Sequence, residues 1–190
     1  MPPARHDRHS VIACALRLLD EVGLPDLSMR RLSTELDVQP SALYWHFPNK
    51  QALLAGVADR ILEAVPEPDS SAAPADVAHA IRDALLTYRD GAEVVMSSYA
   101  LRLGAARAQR ALAASLAPVS PVQEDAARTP LADAVFEFIL GHATLLQQRM
   151  HAQSIGAVEA DAEDPAALAT EVFESGIRAM TGLRAVRPPA

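Results

Sequence analysis

Tyr44 and Lys50 are the side chains best suited to grip a phosphate chain. A tyrosine presents a flat ring to a nucleic-acid backbone and a hydroxyl to a phosphate oxygen. Lys50 is the one lysine in the sequence and directly follows Asn49, an N-cap residue for the helix that begins there. At that position its ammonium joins unpaired backbone N–H groups and the helix dipole in favouring an anion. Arg5 and Arg8 lie on what reads as an N-terminal arm and add positive charge for phosphate or minor-groove contacts. Covalent catalysis finds no comparable set of residues. There is no GxSxG, HExxH, phosphate-binding glycine loop or Cys/His nucleophile pair. The single cysteine, Cys14, excludes an intrachain disulfide framework and a Cys-rich zinc site. His79, His142 and His151 are too dispersed in sequence to suggest a ligand cluster. The chain reads as a binding protein and not an enzyme, with no cofactor and no metal.

The elements that must position these groups are helices. Half of the 190 residues are hydrophobic but only 4% are aromatic, and 38 are alanine, the strongest helix former. No strand pattern and no internal repeat is visible, so the fold class is all-α. No apolar run is long enough for a membrane helix and the first residues form no apolar leader, so the expectation is a cytoplasmic protein without a membrane partner. The net charge of −7 is unevenly placed: residues 1–50 carry six basic and six acidic side chains, and the whole negative excess falls in 51–190. A neutral head with local basic groups can touch phosphate, while an acidic body discourages other orientations on it.

The apolar spacing predicts a helix over 8–22, stopped by Gly23. Ser28 caps a short helix through residue 36, and Pro40 opens a third at 39–46, which ends before Pro48. A fourth runs over about 50–65 on Leu53, Leu54, Val57, Ile61 and Val65. The Pro/Ser/Ala-rich stretch 66–75 is the best domain boundary. Beyond it, helices are expected from Val77 to Tyr88 with Gly91 as a closing residue, then over 92–102, 105–117 and 131–150. Asp164-Pro165 opens a last helix through Phe173, Ile177 and Met180. The stretches 118–130 and 152–163 read as irregular loops.

The two short helices at 28–36 and 39–46 have the proportions of a helix-turn-helix, in which the second helix enters the major groove. Residues 23–53, and above all LYWHFPNKQALL at 43–54, resemble the DNA-binding head of the tetracycline-repressor (TetR) family. The resemblance implies that Arg30 contacts a base or a phosphate. It also implies that Pro40, Ser41 and Ala42 face base edges, where they offer one hydroxyl and apolar groups suited to thymine methyls. Tyr44, His46 and Lys50 complete the DNA-binding set, with Trp45 and Phe47 read as core or half-buried aromatics. Asp37 stands where the family usually has Gly, and Asp tolerates the left-handed backbone that such a turn requires.

The resemblance continues in LLTYRDGAEV at 85–94 and GHAT at 141–144. It implies a ligand-binding body over 66–190 that forms a homodimer through the helices at about 131–150 and 165–182. The tetracycline repressors hold a magnesium chelate, but the positions of its histidine and of a later acidic residue are Val95 and Met150 here, and polar pocket groups of those repressors fall at Pro66, Val77 and Ile81, so no magnesium site is expected. The pocket is instead expected to be largely apolar, from Ile81, Leu85, Tyr88, Met96, Tyr99, Leu103, Phe138, His142, Leu146 and Met150. The resulting reading is a transcription regulator, by default a repressor. Its residues 1–50 bind palindromic double-stranded operator DNA as a homodimer, and a small hydrophobic effector releases it. The alternative is a small-molecule-binding helical protein whose head no longer binds DNA; the intact Tyr44 and Lys50 argue against that.

Overall fold

The computed structural model describes residues 6–117, 130–157 and 165–182, and for 165–168 the backbone alone. The described residues form α-helices and one short 3-10 turn, with no strand among them.

Helix α1 (Arg8–Val22) begins at a reciprocal cap: the Asp7 carboxylate accepts from the Ser10 N–H at 2.8 Å, and the Ser10 hydroxyl oxygen accepts from the Asp7 N–H at 2.9 Å. It stops where expected, at Gly23, whose φ of 80° suits a residue without a side chain. Ser28 caps α2 (Met29–Glu35), its hydroxyl accepting from the Arg31 N–H at 3.1 Å. Asp37 then adopts φ 53°, so the left-handed turn forms with Asp in the place of Gly. Helix α3 (Pro40–Tyr44) has Pro40 in its first turn and is shorter than the apolar spacing predicts. Its last turn is closed instead by the His46 and Phe47 N–H groups, both donating to the Leu43 carbonyl. Asn49 caps α4 (Lys50–Ile61), accepting from the Ala52 N–H at 2.8 Å. Leu19, Leu32, Leu43, Phe47 and Leu53 fill the space between these four helices and are fully buried. Each contributes about 1.5–3 kcal/mol by leaving water.

A 3-10 turn (Leu62–Ala64) follows α4, and α5 (Pro74–Leu86) starts on a proline. Gly91 does not close a helix as expected; it opens α6 (Gly91–Ala100). A Cβ at Gly91 would lie 2.6 Å from the Leu85 carbonyl oxygen, so the glycine is there because the end of α5 and the start of α6 nearly touch. Helices α7 (Ala106–Leu116), α8 (Pro130–Ser154) and α9 (Pro165–Thr181) complete the body. Helix α8 extends past the expected end at 150, taking up the first residues of the stretch read as a loop. Residues 155–157 close the end of α8 in a turn, while 158–163, most of 118–130, the cap at Asp164 and Arg5 lie outside the described residues.

The chain is irregular over 66–73, yet head and body meet along α4 and α6, which pack side by side. Four hydrogen bonds pin this seam. The Asp59 carboxylate accepts from the Ala105 N–H at 3.0 Å, and Arg107 Nε donates to the Val65 carbonyl at 2.6 Å. Asp20 accepts from the Arg89 N–H and Asp90 from the Leu24 N–H, each at 2.8 Å.

Candidate functional site

The first candidate surface is the outer face of the head. Arg30, Pro40, Ser41, Ala42 and Tyr44 are all exposed, and Leu43 points inward to anchor α3. No acidic residue occurs between Asp37 and Asp59, so α3 and the turn after it bring no negative charge of their own toward phosphate. His46 and Lys50 are half-buried at its edge. Lys50 Nζ lies 3.5 Å from the Leu24 carbonyl oxygen, which orients the side chain toward the turn between α1 and α2.

Two expectations for this surface need correction. Trp45 was expected to be core or half-buried but is 89% exposed. Because α3 ends at Tyr44, Trp45 falls on the outside of the closing turn, and Phe47 takes the core position under it. Arg8 is not part of a loose arm. Its Nη1 donates to the His46 carbonyl at 2.8 Å, and its guanidinium lies 4.1 Å from the centroid of the Phe47 ring. This cation–π contact locks the start of α1 over the end of α3.

The second candidate surface is a cleft of about 720 Å³ in the body, a volume suited to a drug-sized molecule. Its walls come from α5, the turn into α6, the second half of α8, and α9. Of the expected pocket residues it brings together Tyr88, His142, Leu146 and Met150. The other six do not line it. Ile81 and Leu85 are fully buried core. Met96 and Leu103 are exposed elsewhere on the surface. Tyr99 packs edge-on against Phe136 at 5.1 Å, with its hydroxyl 3.4 Å from Glu137 Oε1. Phe138 sits behind the wall, its ring stacked 6.0 Å from Phe173. Helical periodicity picks out the inward face of each helix, but core and cavity both lie inward, and spacing does not separate them.

The cleft is also more polar than expected. Arg82, Arg89, Asp90 and Gln147 line it, and none of them was read as a pocket residue. Gln147 continues the inward stripe of Ile139 and Ala143, and a polar group on such a stripe is the signal that could have found it. Its Oε1 accepts from the Ala92 N–H at 3.1 Å, while its Nε2 donates to the Leu85 and Tyr88 carbonyls at 3.2 and 2.8 Å. One side chain thus ties together the end of α5, the start of α6 and α8.

His142 packs beside the Phe138–Phe173 pair, with ring centroids at 6.1 and 5.0 Å. Burial, and then the nearby Arg82 charge, push its pKa below the usual histidine value, so the ring is neutral near pH 7. Its Nε2 is buried and makes no hydrogen bond among the described residues. Arg82 lies with its guanidinium 4.6 Å from the Phe173 ring centroid. Its neighbour Asp83 accepts from it at 3.2 Å. Of the two positions matched to a magnesium site, Val95 is buried core and Met150 is exposed at the cleft rim; of those matched to polar pocket groups, Val77 and Ile81 are buried core and Pro66 is exposed. Among the described residues no three His, Cys, Asp or Glu side chains gather as a metal centre would need.

Known proteins are similar to the head by itself and to the chain over most of its length. A family model described as bacterial regulatory proteins, tetR family, matches residues 11–57, which span α1 to α4. Tetracycline repressor protein class G from Vibrio anguillarum is 43% identical over 95 residues, a match that covers 46% of this chain and 45% of the repressor. The chain therefore aligns with less than half the length of that relative. Over nearly the whole chain, the crystal structure of Mycobacterium smegmatis BioQ superposes with a TM-score of 0.80 at 33% identity, covering 93% of this chain and 96% of BioQ. A BioQ structure with its double-stranded DNA operator gives 0.72 at 32% identity, covering 92% and 99%. A structure of a possible TetR family transcriptional regulator from Streptomyces coelicolor A3(2) gives 0.70 at 30% identity, covering 95% and 100%.

Proposed function

The chain belongs to the TetR family of bacterial regulatory proteins, and from that premise we propose that it is a ligand-responsive repressor that binds palindromic operator DNA as a homodimer in the cytoplasm. The observation that carries this reading is the exposed, acid-free face of α3, with Pro40, Ser41, Ala42 and Tyr44 presented outward and Arg30 beside them. A short helix anchored by one buried leucine and presenting small groups suits the floor of a major groove. Lys50 and His46 flank that face, and Lys50 grips phosphate by swinging off a long contact to Leu24. We take residues 1–50 as the DNA-binding unit, α4 as the connector and 66–190 as the ligand-binding and dimerisation unit.

Pairing is assigned to α8 and α9. Most of their apolar stripe, including Val135, Ile139, Phe173 and Ile177, is used up inside one subunit. What remains outward is Leu145, 69% exposed, with Val172 at 52% and Met150 nearby. An apolar surface of this kind favours a self-complementary contact with a second copy. Two paired heads then read half-sites about one helical turn apart. The effector occupies the cleft bounded by Tyr88, His142, Leu146 and Met150 and releases DNA by binding one arrangement of the heads better than the other.

Selection of duplex DNA from a random library, read at two salt concentrations, tests the reading. A palindrome whose affinity falls steeply as salt rises is expected. A folded, dimeric, ligand-free protein that enriches no sequence would refute it.

A further inference from the structure

We propose that the cleft takes an apolar molecule bearing one carboxylate, held by the Arg82 guanidinium and by Nε2 of His142. This inference rests on the reading of the cleft as the effector site and names the chemical class of the effector.

The charge balance of the cleft is the first argument. Arg82 and Arg89 bring two positive charges to its lining and Asp90 one negative. The Asp90 carboxylate is already committed to the Leu24 N–H. Arg82 is 16% exposed, so its charge is largely withdrawn from water. The carboxylate given to it is that of Asp83, the next residue, whose side chain is 66% exposed. A solvated pair of that kind compensates a withdrawn cation weakly. Glu174, next to Phe173 in the sequence, is engaged with His79 at 2.8 Å.

Hydrogen bonding supplies the second argument. His142 lines the same cleft, and its buried Nε2 is without a partner among the described residues. A buried polar nitrogen left unpaired is costly, and a ligand oxygen removes that cost once the ring edge turns to the cleft. Arg82 and His142 both lie against the ring of Phe173 and both line the cleft, so the proposed site seats one small planar anion against the two of them. A carboxylate has that shape and takes two parallel N–H bonds from a guanidinium. Leu86, Leu146, Met150 and Ile155 give the same wall an apolar stretch that suits a hydrocarbon body.

Matched pairs of probes test this by calorimetry on the full chain: decanoate against decan-1-ol, and 2-naphthoate against naphthalene-2-carboxamide. At least one carboxylate is expected to bind about tenfold or more tightly than its neutral partner, as a charge-assisted bidentate contact predicts. Arg82→Met, which keeps the stem over Phe173, should abolish that preference, and Arg82→Lys should restore part of it. His142→Phe should weaken the carboxylate by roughly tenfold while sparing the neutral probe. Equal binding of both members of each pair, binding of no probe, or a preference that survives Arg82→Met would each overturn the inference. DNA selection on the same preparation separates this from the parent reading. A palindrome with no carboxylate preference sinks the inference alone, whereas no palindrome sinks the regulator reading and leaves a carboxylate site standing.

Discussion

The head and the cleft are built in opposite ways. In the head, the side chains that face outward come from one short run, Arg30 to Lys50, and each is aimed by a cap or turn a few residues away. In the body, the cleft draws on residues from Arg82 to Thr170, contributed by four separate elements. The head keeps its polar groups paired in local caps, while the cleft leaves His142 Nε2 unpaired. The surface proposed to meet DNA is thus preassembled, and the cavity proposed to take a small molecule keeps bonding capacity in reserve. Removing groups from the head should therefore destroy one function cleanly, and removing groups from the cleft should trade stability against binding.

The largest expected effect is that of Phe47→Ala. It empties the centre of the head, against which Arg8 also packs, and should cost about 3–5 kcal/mol of stability by urea denaturation. Loss of DNA binding should accompany it while the carboxylate probes still bind the body. Next is the double variant Tyr44→Ala, Lys50→Ala. Two phosphate contacts are worth about 3 kcal/mol together, so operator affinity should drop about a hundredfold at matched salt with the melting temperature little changed. Unchanged affinity would remove these two residues from the interface. Gln147→Leu comes third. It removes the acceptor of the Ala92 N–H and the donor to the Leu85 carbonyl, while the Tyr88 carbonyl keeps the Gly91 N–H, and should cost about 2 kcal/mol, read by denaturation. Faster amide exchange at Arg89 and Ala92, with α2 and α3 unaffected, would place the damage on the body side of the seam.

The smallest effect is a pH dependence. The pKa of His142 is lowered in the folded protein by burial and by Arg82, while in the unfolded chain it is near 6.5. Below that value the unfolded state binds more protons, so stability is complete above about pH 6.5 and falls as the pH drops toward the folded-state value. His142→Gln should flatten the decline in melting temperature between pH 7.5 and 5.5. An unchanged decline would show that His142 is not its source.

The head was legible because its signals are local. Asn49 and Ser28 cap as their residue types predict, and Pro40 and Gly23 punctuate where they stand. Even the departure at Asp37 follows from the tolerance of Asp for a left-handed backbone. The exceptions depend on partners far along the chain. Arg8 is captured by the His46 carbonyl, and no local pattern announces that contact. Gly91 looks like a helix stop until the Leu85 carbonyl is placed against it. In the body, spacing on α5 and α8 found the inward faces but did not divide them between core and cavity. Ile81 and His142 were therefore grouped together, although one is sealed in the interior and the other opens on the cleft. Arg82 and Gln147 were passed over because charged and amide side chains on helices are more often solvated.

Trp45 is the only indole in the chain, and it stands on the face proposed to meet DNA with most of its ring in water. The protein therefore carries a built-in optical label at one site. Its emission should be that of a hydrated indole and should be quenched on contact with a duplex. A ligand in the cleft, where no tryptophan lines the wall, alters that signal only by moving the head. Stopped-flow fluorescence of the unmodified chain can thus time DNA release separately from ligand capture, without an added dye.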